Sequence, residues 1–346
     1  MIRCVISAAT AVSLLVTLCA PLSAQQPVQS SPTLATVKKR GELVCGVNGE
    51  LPGFSIRASS GAWSGFDVDF CRALAAASLG DGAKVKFVPL TTEKRFNALK
   101  AGEVDVLARN TTVTLQRTAG SGVHYATVTY IDGQGFVVAK KANVTALSQL
   151  ANATVCLTRG TTHELNLLTW FAQRRLAVTP VAFDTLEAMY DAFHAGKCTA
   201  VTQDVTGLAS SIVASGKAAE YLMLPDIISK EPLGPYVRTG DDQWLEVVRW
   251  THNAMLAAEE LGVSQTDVDE QRQSADLVVR RLLGTIPGNG KALGLDESWA
   301  YSIVKQVGNY GESYERHFGA NAPLHFARGI NALWNRGGLM YPLPMR

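Results

Sequence analysis

Short apolar runs alternate with amphipathic stretches through the first part of the chain. The runs at 42–47, 84–89 and 104–108 have the length and composition of buried strands. The stretches at 66–80 and 92–101 have helical spacing, and a glycine stands at the end of each. This alternation predicts a mostly parallel sheet flanked by helices, with a ligand site beyond the carboxyl ends of its strands.

A second alternating series follows. Its predicted strands lie at 136–140, 153–157, 178–182 and 198–202, and its predicted helices at 161–175 and 185–195. The chain then continues through a short strand at 222–224, a crossing that contains Pro232 and Pro235, and a periodic helix at 242–261. The pattern predicts that the chain leaves one folded unit, builds a second, and returns to the first.

The prediction is therefore an α/β protein with two lobes. We expect 33–134 to form the first part of lobe 1, 135–231 to form lobe 2, and 232–346 to return to lobe 1 and add a helical C-terminal extension. Two crossings between the lobes predict a two-stranded hinge, about which the lobes open and close as rigid bodies.

The first 24 residues have the features of a secretory signal peptide. Arg3 supplies a basic start, an apolar run extends over 5–20, and Leu22, Ser23 and Ala24 offer a small-residue cleavage site. No later stretch approaches about 18 uninterrupted apolar residues, the length of a membrane-spanning helix. The sequence predicts a protein that is exported from the cytoplasm and cleaved near Ala24, without direct membrane insertion. Lipidation at Cys19 is the alternative, which Leu18 disfavours.

The charge balance argues against nucleic acid and membrane surfaces as partners, and the cysteine content indicates an oxidising compartment. The chain carries 32 Lys and Arg against 30 Asp and Glu, a balance that gives no handle for nucleic acid or an anionic membrane. Cys45, Cys71, Cys156 and Cys198 remain after the predicted signal peptide, and an even number in an oxidising compartment indicates disulfides. Three pairings are possible, and the order along the chain favours Cys45–Cys71 and Cys156–Cys198. A zinc site is the weaker alternative because the chain has no CxxC pair.

Several segments in order resemble the polar amino-acid-binding proteins of ABC importers. They are the runs 46–54, 65–69 (GFDVD), 102–106 (GEVDV), 112–117 (TVTLQR) and 160–162 (GTT), followed by Gln203 and Asp204. The paired cysteines, the LPGFS segment at 51–55 and the long C-terminal extension are most similar to the branch that binds general L-amino acids. The resemblance covers nearly all of the chain after the signal peptide. It implies a type II periplasmic-binding-protein fold, the Venus-flytrap arrangement of two lobes.

The resemblance also implies a ligand site and the partners of the protein. The implied ligand residues are Asn48, Glu50, Leu51, Phe54, Arg95, Asn110, Thr111, Thr112, Arg117, Gly160, Thr161, Thr162 and Asp204. The implied partners are a free L-amino acid and a membrane-embedded ABC permease, and the protein is expected to be a monomer. No cofactor, metal or catalytic residue is predicted. Relatives often carry Gly at the position of Asn110, which leaves the local backbone path open.

An amino-acid head group needs a fixed cation for its carboxylate and an anion for its ammonium group. Arg117 can grip the carboxylate through two parallel hydrogen bonds, and Asp204 can accept from the ammonium group. The residues at 160–162 add free N–H groups at a helix start, although Thr161 or Thr162 could instead cap that helix. Because Arg117 and Asp204 belong to different predicted lobes, the ligand completes its contacts only when the cleft closes.

The sequence leaves side-chain specificity and two rival functions open. Arg95 would favour acidic or amide ligands, Glu50 would favour basic ones, and the two could also neutralise each other.

A periplasmic enzyme on the same scaffold is the main alternative, with His163 as its candidate general acid or base. A ligand-sensing module is the second alternative. His163 otherwise has no evident carboxylate partner in the sequence and is expected on a helix surface.

Overall fold

The computed structural model describes residues 31–320 and 322–345. The predicted signal peptide, 1–24, lies outside the described residues. Within the described part, no helix is both long and apolar enough to cross a bilayer.

The strands are short and occur throughout the first two thirds of the chain. In chain order they are β1 (Leu43–Val47), β2 (Glu50–Leu51), β3 (Ser55–Arg57), β4 (Trp63–Ser64), β5 (Val85–Pro89), β6 (Val106–Leu107), β7 (Val123–Tyr125), β8 (Tyr130–Asp132), β9 (Gln134–Ala139), β10 (Thr154–Thr158), β11 (Thr179–Phe183), β12 (Ala200–Asp204), β13 (Tyr221–Met223), β14 (Glu231–Leu233) and β15 (Tyr236–Arg238).

The helices connect these strands and then fill the C-terminal third. In chain order they are α1 (Pro32–Arg40), α2 (Phe66–Leu79), α3 (Arg95–Ala101), α4 (Leu115–Ala119), α5 (His163–Gln173), α6 (Leu186–His194), α7 (Val205–Ala214), α8 (Asp242–Glu260), α9 (Val268–Gln271), α10 (Leu277–Leu282), α11 (Asn289–Leu293), α12 (Trp299–Val307) and α13 (Tyr310–His317).

Two five-stranded sheets form the framework. The first has the strand order β5-β1-β6-β15-β7 and the second β11-β10-β12-β9-β13. In each sheet four strands point one way and a single strand, β15 or β9, points the other way. The predicted α/β architecture with mostly parallel sheets is confirmed. The reversed strand is in each case the one that follows a crossing between the sheets.

Buried apolar runs explain why the central strands form. All five residues of β1 are buried, and so are the last four of β10, so each strand lies between layers of helices. The glycine before α2 has a different role. Gly65 has φ +134°, and a Cβ there would fall 2.1 Å from the carbonyl oxygen of Phe54. The GFD segment therefore needs glycine so that α2 can start against the preceding loop.

A two-stranded antiparallel pair joins the two sheets. The chain leaves the first sheet through β8 and returns to it through β14, and Asp132 pairs with Glu231 in their register. Residues on both sides of this pair also interact, since the Val113 N–H donates to the Pro232 carbonyl. The bending of this pair, and the lobe boundaries given above, stay predictions.

The structure contains both predicted disulfides, Cys45–Cys71 and Cys156–Cys198. The first joins β1 to α2, and the second joins β10 to the segment before β12. The predicted strand at 198–202 was wrong in its bounds, because β12 begins at Ala200 and includes Asp204. Cys198 is therefore in the connection, where the Thr199 N–H donates to the Thr154 carbonyl.

The C-terminal helices pack against the first sheet's half of the molecule. Helices α8, α12 and α13 all contact α2. At the centre of this contact the buried Asp69 of α2 accepts hydrogen bonds from Ser313 and pairs with Arg316 and His317 of α13. Opposite charge on facing helices thus fixes the extension to α2.

Candidate functional site

A cavity lies between the two sheets, at the carboxyl ends of β1, β6, β10 and β12. This first cavity is lined by Asn48, Thr92, Arg95, Arg109, Asn110, Thr112, Arg117, Thr158, Thr161, Thr162, His163, Leu186, Gln203 and Asp204. Eight of these residues belong to the predicted ligand set: Asn48, Arg95, Asn110, Thr112, Arg117, Thr161, Thr162 and Asp204. The structure therefore brings most of the predicted site together at the predicted edge of the sheets.

Arg117, in α4, and Asp204, at the end of β12 in the second sheet, both line this cavity. The Thr114 hydroxyl caps α4 by accepting from the Arg117 N–H at 3.2 Å. The Arg117 guanidinium donates through Nη1 to the Thr112 carbonyl at 2.9 Å. Burial lowers the pKa of Arg117, while the nearby negative charges of Glu231 and Asp204 act in the opposite direction. Arg117 and Asp204 form no ion pair within 4.0 Å, so space remains between their charges.

Asp204 has a partner that the sequence did not reveal. Its Oδ1 lies 2.9 Å from Nε2 of His163, and both side chains are buried. The expectation of a surface His163 without a carboxylate partner was wrong. The two residues are 41 positions apart, and the tertiary fold brings the start of α5 to the end of β12. Nδ1 of His163 is buried and has no hydrogen-bond partner in the described chain.

The backbone conformation at Asn110, which the sequence left open, is seen in the structure. Its φ is +35°, in the left-handed region that glycine adopts freely and that Asn tolerates better than most residues. Its N–H donates to Oδ2 of Asp67 at 2.9 Å, and its side-chain oxygen accepts from the Asn48 amide at 3.2 Å. Asn at this position therefore accommodates a left-handed turn without glycine.

Glu231 of β14 is a functional candidate that the sequence reasoning missed. It is 1% exposed and accepts hydrogen bonds from Thr112 Oγ1 at 2.6 Å and from Thr162 Oγ1 at 3.0 Å. Asn166 Nδ2 and the Ser229 hydroxyl donate to its other oxygen. The hydroxyls of Thr112 and Thr162, predicted to contact ligand, thus donate to this carboxylate. The residue precedes Pro232, and no local pattern distinguishes it from an ordinary surface glutamate.

Arg109 is a second residue that was missed. It lines the first cavity, donates from Nε to the Leu90 carbonyl at 2.7 Å, and donates from Nη2 to Thr92 Oγ1 at 3.1 Å. Burial lowers the pKa of Arg109 to about 10. Its position immediately before Asn110 was the available signal, because that segment follows a strand that ends at the site.

The buried Arg95 and Arg109 form a cationic cluster with the half-buried Arg117. None of the three has a carboxylate within 4.0 Å among residues 31–320 and 322–345. Burial, and then the charges of Arg109 and Arg117, lower the pKa of Arg95. The proposed mutual neutralisation of Arg95 and Glu50 therefore has no ion pair to support it.

A second cavity adjoins the first and is roomier. It shares Asn48, Thr92, Arg109, Thr158 and Leu186 with the first cavity, and is also lined by Glu50, Pro89, Leu90, Thr91, Asp184 and Thr185. Its volume is about 200 Å³, against about 30 Å³ for the first cavity. Glu50 reaches this second space and not the first.

Four predicted ligand residues line neither cavity. Leu51 is fully buried, and Phe54 packs its ring edge against Tyr130 at 5.2 Å between centroids. Both belong to the core, because β2 and the loop after it turn these side chains away from the cleft. Thr111 is buried and donates to the Arg109 carbonyl. Gly160 contributes its carbonyl oxygen to Arg95, so it acts through that side chain.

The start of α5 carries no side-chain cap. Neither Thr161 nor Thr162 bonds to the first-turn N–H groups, because Thr161 Oγ1 donates to the Thr158 carbonyl and Thr162 Oγ1 donates to Glu231. The first-turn N–H groups of this helix are thus not used by either threonine.

Comparison with known proteins identifies the family of this chain. Residues 43–266 match the family of bacterial extracellular solute-binding proteins, family 3. The chain belongs to this family, and the resemblance found in the sequence is confirmed.

Individual relatives cover nearly the whole chain. The general L-amino acid-binding periplasmic protein AapJ of Rhizobium johnstonii is 47% identical over 319 residues, 92% of this chain and 94% of that protein. The glutamate/glutamine/aspartate/asparagine-binding protein BztA of Rhodobacter capsulatus is 46% identical over 318 residues, with coverage of 92% and 94%. A solved ABC transporter periplasmic binding protein from Brucella ovis, with glutathione bound, has a TM-score of 0.89 and 47% identity, covering 91% of this chain and 99% of that one. The predicted type II periplasmic-binding-protein fold is confirmed.

Proposed function

We propose that this protein captures free L-amino acids outside the cytoplasm and delivers them to an ABC permease. The observation that supports this most directly is the shared cavity of Arg117 and Asp204, whose opposite charges approach from α4 and from the end of β12 without pairing. An amino-acid head group carries the two complementary charges on one carbon. Arg117 would bind its carboxylate through a planar guanidinium, and Asp204 would accept from its ammonium group.

The proposal extends to how the protein works. Lobe 1 comprises 33–134 and 232–346, lobe 2 comprises 135–231, and the pair β8 and β14 is the hinge between them. A ligand that touches both lobes favours the closed state by its differential affinity for that state. Moving the equilibrium from 1:99 to 99:1 takes about 5.5 kcal/mol, and two charge-assisted contacts of roughly 1.5–3 kcal/mol each supply most of it.

The relatives support a broad amino-acid specificity and a periplasmic location. AapJ is named as a periplasmic protein that binds general L-amino acids, and BztA as a protein that binds glutamate, glutamine, aspartate and asparagine. Both proteins align over more than nine tenths of this chain. We infer that the segment 1–24 directs export with cleavage near Ala24, and that the mature protein acts as a monomer beside its permease.

We also infer that the site performs no catalysis. The His163–Asp204 pair is the nearest approach to a catalytic arrangement. Nδ1 of His163 has no partner, and no Ser or Cys side chain bonds to this histidine in the portion of the chain described. His163 instead orients Asp204 at the edge of the cavity, since an imidazole N–H donating to a carboxylate fixes its rotamer.

A thermal-shift screen of the L-amino acids tests the proposal. A ligand at 100 times its Kd adds about 2.7 kcal/mol to the free energy of unfolding. We expect several amino acids to raise Tm, and Arg117→Ala or Asp204→Asn to abolish the shift. The matched controls are Arg174→Ala and Asp191→Asn, whose side chains are exposed and outside both cavities. No shift with any L-amino acid, or shifts that survive both site substitutions, would overturn the proposal.

A further inference from the structure

The cleft holds more buried positive charge than an amino-acid head group requires. Arg95, Arg109 and Arg117 line the first cavity, and none is ion-paired in the described chain. The proposed function assigns Arg117 to the α-carboxylate. Arg95 and Arg109 then remain, and a ligand whose side chain is neutral offers them no counter-charge.

Arg95 is held by few contacts for a buried guanidinium. It is 3% exposed, its Nη2 donates to the Gly160 carbonyl at 3.4 Å, and its buried Nε has no partner. A guanidinium has five N–H donors, so most of its hydrogen-bonding capacity is unused. Burying an uncompensated charge costs free energy, and an arriving anion would recover that cost.

Arg109 is oriented more firmly and lies where the two cavities meet. Its Nε and Nη2 donate to Leu90 and Thr92, which fixes the plane of the guanidinium. The second cavity, which Arg109 also lines, provides about 200 Å³ next to the head-group site. A ligand side chain of a few atoms therefore has room to extend past the head group on the side of Arg109, while Arg95 lines the first cavity itself.

Neighbouring carboxylates act on Arg95 and Arg109 only through space, and none forms an ion pair with either arginine among the described residues. Glu50 is exposed and lines only the second cavity, and Asp184 is exposed and pairs with Arg159. Asp67 accepts from the Asn110 N–H, and burial raises its pKa to about 7. None of these carboxylates forms an ion pair with Arg95 in residues 31–320 or 322–345.

We propose that Arg95, with Arg109 beside it, forms a second anion subsite that selects amino acids bearing a side-chain carboxylate over their amides. The inference rests on the proposed function, because it takes the head group to be bound by Arg117 and Asp204. L-Glutamate and L-aspartate bind with their side-chain carboxylates at Arg95, where a guanidinium offers two parallel donors. L-Glutamine and L-asparagine present one acceptor and an amide donor that faces a cation, so they bind more weakly.

Isothermal titration calorimetry of the mature chain with L-glutamate and L-glutamine tests the subsite, since the two ligands differ only at the side-chain terminus. We expect a Kd for glutamate about 10-fold or more below that for glutamine, with the same order for aspartate and asparagine. Arg95→Gln removes the charge and keeps a planar polar group. In this variant we expect the glutamate-to-glutamine preference to fall to about twofold or less, while the exposed control Arg174→Gln retains it.

The outcomes separate this inference from the function beneath it. Equal Kd values for glutamate and glutamine in the unaltered protein, or an unchanged preference in Arg95→Gln, would overturn the second subsite while amino-acid binding stands. If no L-amino acid binds the unaltered protein, the proposed function itself fails. Should Arg95→Gln not fold, Arg95→Met serves instead: it removes the charge and keeps a long side chain, and a preference as large as that of the unaltered protein would contradict the subsite.

Discussion

Asp67 shows how the fold changes the acidity of a single carboxyl group beside the site. Burial raises its pKa from 3.8 to about 7, against the opposing effects of the Asn110 N–H and the Arg109 charge. Between these two pH values the folded protein binds a proton that the unfolded chain releases. The contribution of Asp67 to stability is therefore largest below about pH 4 and is lost as the pH rises toward 7.

The variant Asp67→Asn removes this titration and keeps an acceptor for the Asn110 N–H. We expect the free energy of unfolding of the unaltered protein, relative to that of the variant, to fall as the pH is raised from about 4 to about 7. Urea denaturation at several pH values measures the difference. The exposed substitution Asp191→Asn should follow the unaltered protein across this range. Parallel pH profiles for the unaltered protein and Asp67→Asn would contradict the raised pKa.

The sequence could identify site residues only where they belong to a recognisable motif. Four residues that line the first cavity belong to segments that resemble the family and follow its order along the chain: Thr112, Arg117, Thr162 and Asp204. Glu231 belongs to no such segment, and its bonds to Thr112 and Thr162 span 119 and 69 residues. Contacts of that separation are a product of the tertiary fold, so no local pattern predicts them.

At the scale of the elements, strands and helices with strong periodicity were predicted to within a few residues. The apolar runs of β1, β5 and β10, and helices α2 and α8, agree because burial on fixed faces determines both pattern and structure. Short irregular pieces were harder. Leu51 and Phe54 lie in or near the two-residue strand β2, which is too short for alternation to indicate the buried face.

Glu231 of β14 accepts hydrogen bonds from Thr112 and Thr162, which lie on the two sides of the cleft. We therefore expect its substitution to affect both stability and ligand binding. In Glu231→Gln the amide N–H₂ would face a donor, either Asn166 Nδ2 or one of the hydroxyls. We expect the free energy of unfolding to fall by about 1–3 kcal/mol, the cost of leaving a buried polar group without its partner. We also expect weaker ligand binding, because one amide cannot accept from Thr112, Thr162 and Asn166 at once.

Urea denaturation and calorimetric titration measure these two effects. The matched control is Glu187→Gln, an exposed glutamate on α6 outside both cavities. Unchanged stability and affinity in Glu231→Gln would show that the carboxylate charge does not hold Thr112 and Thr162 together.

At the scale of the whole molecule, the C-terminal segment reaches back to the connection between the sheets. The Asn331 side chain accepts from the Ile131 N–H at 2.7 Å and donates to the Ile131 carbonyl at 2.9 Å. Arg328, nearby, makes a two-pronged ion pair with Glu259 of α8 and lies over the rings of Tyr310 and Tyr314. The extension is thus attached both to a long helix and to β8.

We expect Asn331→Ala to loosen β8, because both backbone groups of Ile131 lose a partner. Hydrogen exchange followed by mass spectrometry should report faster exchange for peptides that contain Tyr130–Asp132, and the free energy of unfolding should fall by about 1–3 kcal/mol. Asn335→Ala, exposed in the same segment, is the control. Equal exchange rates for β8 in the two variants would contradict the role of Asn331.

The grip of Asn331 on β8 has a consequence for communication across the molecule. Any rotation of β8 must carry residue 331 with it, or break two hydrogen bonds, and Arg328 links that residue's neighbourhood to α8. If ligand binding turns β8, residues 328–331 and their contact with α8 are expected to shift as well, so a partner bound at this segment could respond to the ligand without touching it.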